Sequence, residues 1–110
     1  MTAPKSYVVE FAAVAESDLR AIVEFIAVDD PGIALSVFIR IEARCATLGT
    51  MPERGRVVPE LAAFSVHAYR ELIVSPWRVV CRISGMTVFV LAVVDGRRNI
   101  EDVLLARLVR

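Results

Sequence analysis

The sequence predicts an α+β domain in which an N-terminal strand and an antiparallel helical hairpin pack on a mainly antiparallel sheet of about four strands, followed by a C-terminal helix. Apolar residues recur at helical spacing between residues 13 and 48, and three apolar runs of strand length follow residue 67. A chain of 110 residues is long enough to bury one core and too short for two. We therefore expect a single domain over residues 1–110.

The N-terminal part predicts a strand and then two helices. Residues 6–11 (SYVVEF) are rich in β-branched and aromatic side chains, which favours an opening strand. A helix is expected between residues 13 and 28, because four apolar residues fall at the i, i+3, i+4 and i+7 spacing of one face: Leu19, Ile22, Val23 and Ile26. A second helix should begin with Asp30 as N-cap and Pro31 at the first helical position, and end at Gly49. Because few residues separate them, the two helices should form an antiparallel hairpin.

The remainder predicts a sheet and a closing helix. Residues 51–63 contain Pro52, Gly55 and Pro59 without periodicity, which indicates an irregular connection. The runs AYRELIVS, RVVCRIS and MTVFVLAVV follow, and the short breaks between them favour antiparallel pairing. The last run is apolar on both faces, so we expect it in the interior of the sheet, with the helices on one side. Helical spacing resumes after Asn99, a candidate N-cap, and continues toward Arg110.

The charge balance and composition bear on possible partners. Thirteen basic and thirteen acidic residues cancel, so direct nucleic-acid binding should be weak or absent. No apolar run reaches the roughly 18 residues of a membrane helix, and we expect a soluble, cytoplasmic protein with no membrane partner. The apolar share of 56 % is high. It indicates either a groove that a permanent partner covers or a core packed tightly with aliphatic side chains.

Metal, cofactor and nucleophile chemistry have little support in the sequence. Cys45 and Cys81 lie in apolar segments without the spacing of paired metal ligands, and both are expected to be reduced core residues. His67 is the only histidine, and no serine or cysteine stands in an arrangement that suggests a nucleophile with a base. We expect His67 to be partly exposed ahead of a strand, and we expect no metal site and no cofactor.

Arginines are the main candidate binding residues. They lie in the irregular connection, on the predicted strands and after the last strand: Arg54, Arg56, Arg70, Arg78, Arg82, Arg97 and Arg98. Arginines that share one sheet face would form a cluster suited to a phosphate or to an acidic partner segment. The alternative is that they are solvated or pair with acidic residues, for which the candidates are Glu53, Glu60, Glu71, Asp95 and Glu101.

A series of short motifs runs in order along nearly the whole chain. They are Val8–Phe11, Ala15–Leu19, Ile26–Ala27, Asp30–Pro31, Leu48, Pro52, Gly55–Arg56, Pro59–Leu61, Tyr69–Leu72, Pro76–Val80, Val93, Gly96–Arg98 and Leu104–Leu108. In this order they resemble the RelE/ParE family of toxins from bacterial type II toxin–antitoxin systems, and ParE-type toxins in particular. The chain departs from the family at Ala12 and Ala13, where members commonly carry a Thr-type helix cap.

This resemblance implies a cognate, ParD-like antitoxin whose C-terminal segment wraps the toxin in a hetero-oligomer, which would account for the apolar excess. ParE-type toxins inhibit DNA gyrase by binding it, so the resemblance implies a gyrase inhibitor rather than an enzyme. The C-terminal helix and the helical hairpin are the implied target-binding elements. Candidate contacts on the C-terminal side are Arg97, Arg98, Leu104, Arg107 and Leu108. The residues that contact the antitoxin are not assigned.

RelE-type members of the family instead cleave messenger RNA on the ribosome, and the resemblance carries part of their site onto this chain. Arg78 matches a phosphate-contacting arginine, and either Arg97 or Arg98 matches a second. Arg70 lies where a lysine often stands, and Arg70, Arg78 and Arg98 are the candidate catalytic residues for a ribonuclease. The acid–base tyrosine falls among residues 103–105, which are aliphatic, and another basic position falls on Leu72. An aliphatic side chain cannot transfer a proton, so gyrase inhibition is preferred. A ribonuclease and a non-toxic antitoxin-binding domain are the alternatives.

Overall fold

The computed structural model describes residues 6–108, apart from the side chains of residues 105 and 108. Within this range five strands form one sheet: β1 (Val8–Phe11), β2 (Arg56–Val57), β3 (Tyr69–Val74), β4 (Trp77–Ser84) and β5 (Thr87–Asp95). Their order across the sheet is β1-β5-β4-β3-β2. Only the β1–β5 pair is parallel. The sheet is therefore mainly antiparallel, as predicted, with one strand more than expected.

Four α-helices lie in the described part of the chain: α1 (Ala13–Ala27), α2 (Pro31–Ala46), α3 (Pro59–Ala62) and α4 (Ile100–Leu108). Helix α2 ends at Ala46, and a short 3₁₀ helix (Thr47–Gly49) continues it to the predicted end at Gly49. The caps predicted for two of them are confirmed. Asp30 Oδ1 accepts a hydrogen bond of 3.0 Å from the Ile33 backbone N–H at the start of α2. Asn99 Oδ1 accepts one of 3.1 Å from the Glu101 N–H at the start of α4. Ala12 offers α1 no side-chain cap, so packing has to hold that end of the helix.

The helices cover both faces of the sheet, which differs from the prediction that they lie on one side. The hairpin of α1 and α2 buries residues such as Leu19 and Ile41 against one face. On the opposite face, α3 and α4 contribute Leu61, Ile100 and Leu104 to a second, smaller core. Strand β5 runs between β1 and β4 and contributes side chains to both cores. This double coverage explains why its sequence is apolar from Val88 to Val94.

The strand that the sequence did not predict is β2, which lies within the connection after α2. It pairs only Arg56 with Glu71 and Val57 with Arg70 of β3. A Cβ at Gly55 would overlap the Glu71 carbonyl, so the close approach of this segment to β3 requires glycine. A strand of two residues leaves no periodic pattern in a sequence. Its position matters because it brings the connection over the second face of the sheet.

Among the described residues, no helix has both the length and the apolar character needed to cross a membrane.

Candidate functional site

Arg78 on β4 is the centre of an ion-pair network that also contains Arg56, Glu60 and Glu71, called here the Arg78 network. Arg78 is 8 % exposed, and each edge of its guanidinium holds one carboxylate. Nε and Nη2 donate hydrogen bonds of 2.5 and 2.8 Å to Glu71, and Nη1 and Nη2 donate bonds of 2.6 and 2.7 Å to Glu60. Glu71 accepts a third bond, of 3.0 Å, from Arg56 Nε. Both edges of the guanidinium are therefore occupied within the chain.

The fold assembles this network from four elements, the strands β2, β3 and β4 and the helix α3. Glu71 lies on β3 opposite Val80 of β4, two residues from Arg78, so both charged side chains project from the same face of the sheet. Helix α3 places Glu60 beside them. The Glu71 side chain is fully buried and that of Glu60 is 30 % exposed. The hydrogen bonds from Arg78 lower the pKa of Glu60, and those same bonds raise the pKa of Arg78.

The other two strand arginines do not join this network. Arg70 pairs with Cys81, whose side chain belongs to the hairpin-side core, so Arg70 projects from the opposite face to Arg78. Its Nη1 donates a hydrogen bond of 2.8 Å to the Gly55 carbonyl and so holds the connection against β3. Arg82 is exposed and stacks on Tyr69, with its guanidinium carbon 5.7 Å from the ring centre. Arg70 and Arg82 therefore lie apart from Arg56 and Arg78, which share the Glu71 carboxylate.

The two arginines after β5 differ in their surroundings. Arg97 Nε and Nη2 donate hydrogen bonds of 3.0 and 2.7 Å to the Asp95 carboxylate, and the Arg97 backbone N–H donates one of 2.9 Å. The side-chain bonds lower the pKa of Asp95 to about 2. Arg98 is exposed, and its side chain has no hydrogen bond or ion pair with any described residue. Arg98 is therefore available to a partner, while Arg97 shapes the turn.

Helix α4 is docked by two buried residues and one ion pair. Ile100 and Leu104 are 1 % and 2 % exposed in the second core. Arg107 donates hydrogen bonds of 2.8 Å to both oxygens of Asp18 on α1. Of the candidate contacts on this helix, Leu104 faces the core and Arg107 is paired. The side chain of Leu108 lies outside the described ones.

A cleft of about 410 Å³ lies beside Arg98, between α1, the start of β4 and the turn after β5. We call it the α1–β4 cleft. Its apolar lining includes Ile22, Phe25 and Trp77, of which Phe25 is 81 % exposed. Arg40 on α2 stacks on the Trp77 ring at 5.8 Å. The cleft thus combines an apolar wall with cationic side chains at its border, which suits contact with another macromolecule.

Groups that serve acid–base or nucleophilic catalysis are poorly placed. Val103 and Leu104, at positions where the resemblance would place an acid–base group, pack in the second core. Cys45 and Cys81 are buried, as predicted, and burial raises the pKa of Cys45 to about 12 and that of Cys81 to about 11. Both thiols are therefore protonated and unreactive at neutral pH. His67 is exposed ahead of β3.

Sequence reasoning identified the arginines and their acidic partners but missed the residues of the cleft. Phe25 carried no signal of its own, because its apolar character fitted a helix. Asp18 on α1 was not among the candidate site residues, yet its side chain is only 16 % exposed. Its spacing was the available signal, since Asp18 lies three residues after the buried Ala15 and four before Ile22, at the edge of the apolar face.

Comparison with known proteins agrees with this architecture. Residues 9–100 match the model of a family described as the ParE toxin of type II toxin–antitoxin systems. The solved structure of the chromosomal ParDE system from P. aeruginosa superposes with a TM-score of 0.69 at 21 % identity, covering 83 % of this chain and 97 % of that chain. The toxin–antitoxin complex RelBE2 from Mycobacterium tuberculosis gives a TM-score of 0.56 at 24 % identity, covering 82 % of this chain and 91 % of that chain.

No curated protein matches the sequence. The family match nevertheless spans β1 to the start of α4, which includes the sheet, the hairpin and the Arg78 network. The chain belongs to the ParE toxin family of type II toxin–antitoxin systems.

Proposed function

We propose that this protein is a toxin that inhibits DNA gyrase by binding it, and that a ParD-like antitoxin neutralises it. The observation that carries the proposal is the state of Arg78, whose two guanidinium edges are both filled by carboxylates of the chain itself. An arginine in this state has no edge left for an RNA phosphate. Aliphatic Val103 and Leu104 add no group that transfers a proton. A binding toxin needs neither.

The surface proposed for the target is the border of the α1–β4 cleft and the turn before α4. Arg98 is its exposed cation without an ion pair to a described residue, and it would contact the target directly. Arg97 and Arg107 act by holding the turn and the helix in place through Asp95 and Asp18. Among the candidate contacts, Arg98 should therefore have the largest direct effect on binding.

The antitoxin is proposed to cover apolar side chains that the hairpin leaves exposed. Phe25 and Val28 are 81 % and 83 % exposed, and Leu35 and Ile39 are 59 % and 55 % exposed. Leu35 and Ile39 lie four residues apart and so share one face of α2. Both solved relatives come from toxin–antitoxin systems, which supports an antitoxin partner.

An antitoxin that binds only the folded toxin should raise the melting temperature of the toxin. An unchanged melting temperature would contradict this part of the proposal.

The decisive experiment measures supercoiling by DNA gyrase in parallel with cleavage of ribosome-bound messenger RNA, using the purified full-length protein. We expect supercoiling to be lost, with accumulation of cleaved DNA, while the messenger RNA stays intact. Addition of the antitoxin should restore supercoiling. RNA cleavage with normal supercoiling would overturn the proposal in favour of a RelE-type ribonuclease. Normal results in both assays, together with antitoxin binding, would mean a non-toxic antitoxin-binding domain.

A further inference from the structure

The outward edge of the Arg78 guanidinium is closed by a carboxylate of the same chain. We propose that Glu60 is a specificity-determining residue: it occupies an oxyanion site at Arg78 and so keeps phosphate groups of nucleic acids out of it. This role does not depend on which protein the toxin inhibits. It concerns a chemical class of ligand, the phosphodiester, that the folded chain would bind if Glu60 were absent.

The two edges of the guanidinium differ in how permanently they are filled. The edge formed by Nε and Nη2 holds Glu71, whose side chain is fully buried and also accepts a hydrogen bond from Arg56. The edge formed by Nη1 and Nη2 holds Glu60, whose side chain is 30 % exposed. Glu71 therefore orients Arg78 from within, and Glu60 fills the edge that solvent reaches.

A phosphate group can take the place of the Glu60 carboxylate on geometric grounds. Guanidinium groups bind carboxylates and phosphates in the same bidentate manner, through two parallel N–H donors. At Glu60 those donors give hydrogen bonds of 2.6 and 2.7 Å, so the fork is already preorganised for two oxygen atoms. The pKa of Glu60 is lowered by the same bonds, which keeps the carboxylate ionised at neutral pH. The charged Glu60 carboxylate therefore competes with an external phosphate for the Arg78 guanidinium.

Removal of Glu60 gives the Arg78 network a net positive charge. Arg56 and Arg78 balance Glu60 and Glu71, so the intact network is neutral. Without Glu60, two cations face one carboxylate and one positive charge remains. Arg56 is well placed to add to the attraction, since its side chain is 61 % exposed beside Glu71. The opened site would thus combine a free bidentate fork with a net positive charge, which suits a phosphodiester.

The test compares the wild-type chain with Glu60→Ala and with a matched control, Glu53→Ala. Glu53 lies in the same connection, is exposed and has no ion pair with a described residue, so its removal changes the net charge equally without opening the fork. Binding of a fluorescent single-stranded RNA is measured by anisotropy. We expect Glu60→Ala to bind roughly tenfold tighter than both other proteins, since hydrogen bonds to charged groups contribute about that much or more.

A second readout locates the bound anion. In a titration with inorganic phosphate, the ¹⁵N signal of Arg78 Nε should shift in Glu60→Ala and stay unchanged in the wild-type chain. If Glu60→Ala does not fold, Glu60→Gln replaces it, with Glu53→Gln as its control; the amide oxygen still accepts one bond, so a smaller gain is expected. A folded Glu60 variant that binds RNA no better than its Glu53 control would overturn the proposal. A phosphate-dependent shift at Arg78 in the wild-type chain would overturn it as well.

Discussion

Arg107 of α4 reaches Asp18 of α1 from the opposite face of the sheet, and its two terminal nitrogens donate hydrogen bonds of 2.8 Å to the two carboxylate oxygens. The same carboxylate accepts a hydrogen bond of 2.9 Å from the Val93 backbone N–H of β5. Strand β1 ends at Phe11, opposite Val90, so it does not extend to this part of β5. Asp18 therefore joins both helical layers to the edge of the sheet that β1 leaves open.

We predict that Asp18→Ala lowers the free energy of unfolding by about 2 kcal/mol, since it removes a partly buried ionic partner and leaves a backbone N–H unpaired. Equilibrium unfolding in urea measures the change. Glu24→Ala is the matched control, because Glu24 is an exposed acidic residue of the same helix with no ion pair to a described residue. Equal stability of the two variants would mean that the Asp18–Arg107 contact contributes nothing.

Within the Arg78 network, the cost of losing a carboxylate should follow its burial. Glu71→Gln is expected to destabilise the protein by about 3 kcal/mol, because it leaves a buried arginine without its fully buried partner. Glu60→Gln should cost about 1 kcal/mol, since that side chain is 30 % exposed and water can replace part of the interaction. Denaturant titrations of the two variants provide the comparison. A larger loss for Glu60→Gln would show that Glu60, not Glu71, anchors Arg78.

The pH dependence of stability should report the Glu60 contact separately. Hydrogen bonds from Arg78 lower the pKa of Glu60 from its ordinary value of 4.5. A carboxyl whose folded-state pKa is depressed contributes stability above its unfolded-state pKa and loses it as the pH falls through the folded-state value. The stability difference between the wild-type chain and Glu60→Gln should therefore be constant at neutral pH and shrink below pH 4.5. A difference that persists in strong acid would assign it to packing.

The fold was predictable wherever local pattern and tertiary contact agree. The Asp30–Pro31 start of α2 could be predicted because the cap and the proline act within one turn. The sheet face from which each arginine projects was harder to predict, because it depends on the register between strands. Arg70 and Arg78 project from opposite faces and cannot form one cluster. Glu60 was one of several possible partners of the arginines. Its bidentate contact with Arg78 joins residues 18 positions apart across an irregular connection, and no periodicity encodes such a contact.

The buried thiols should make the protein sensitive to alkaline pH. Burial raises the pKa of Cys45 to about 12 and that of Cys81 to about 11, from an ordinary value of 9.0. Because the folded-state values lie above the unfolded ones, stability is fully present below pH 9 and falls as the pH rises toward 11, by up to about 1.4 kcal/mol per pH unit for each thiol. Melting curves recorded across this interval test the expectation. A double Cys45→Ala and Cys81→Ala variant should lose this dependence; an equally steep decline would assign it to other groups.

Arg98 provides the most direct test of the target surface, because its side chain is exposed and has no partner among the described residues. We predict that Arg98→Glu raises the concentration needed for half-maximal gyrase inhibition by roughly tenfold, the effect of one lost charge-assisted contact. Its stability should change by less than about 0.5 kcal/mol. Arg54→Glu is the control, since Arg54 is exposed on the connection and the charge change is the same. If both variants lose inhibition equally, gyrase responds to the overall charge of the toxin, whereas a loss confined to Arg98→Glu places the contact beside the α1–β4 cleft.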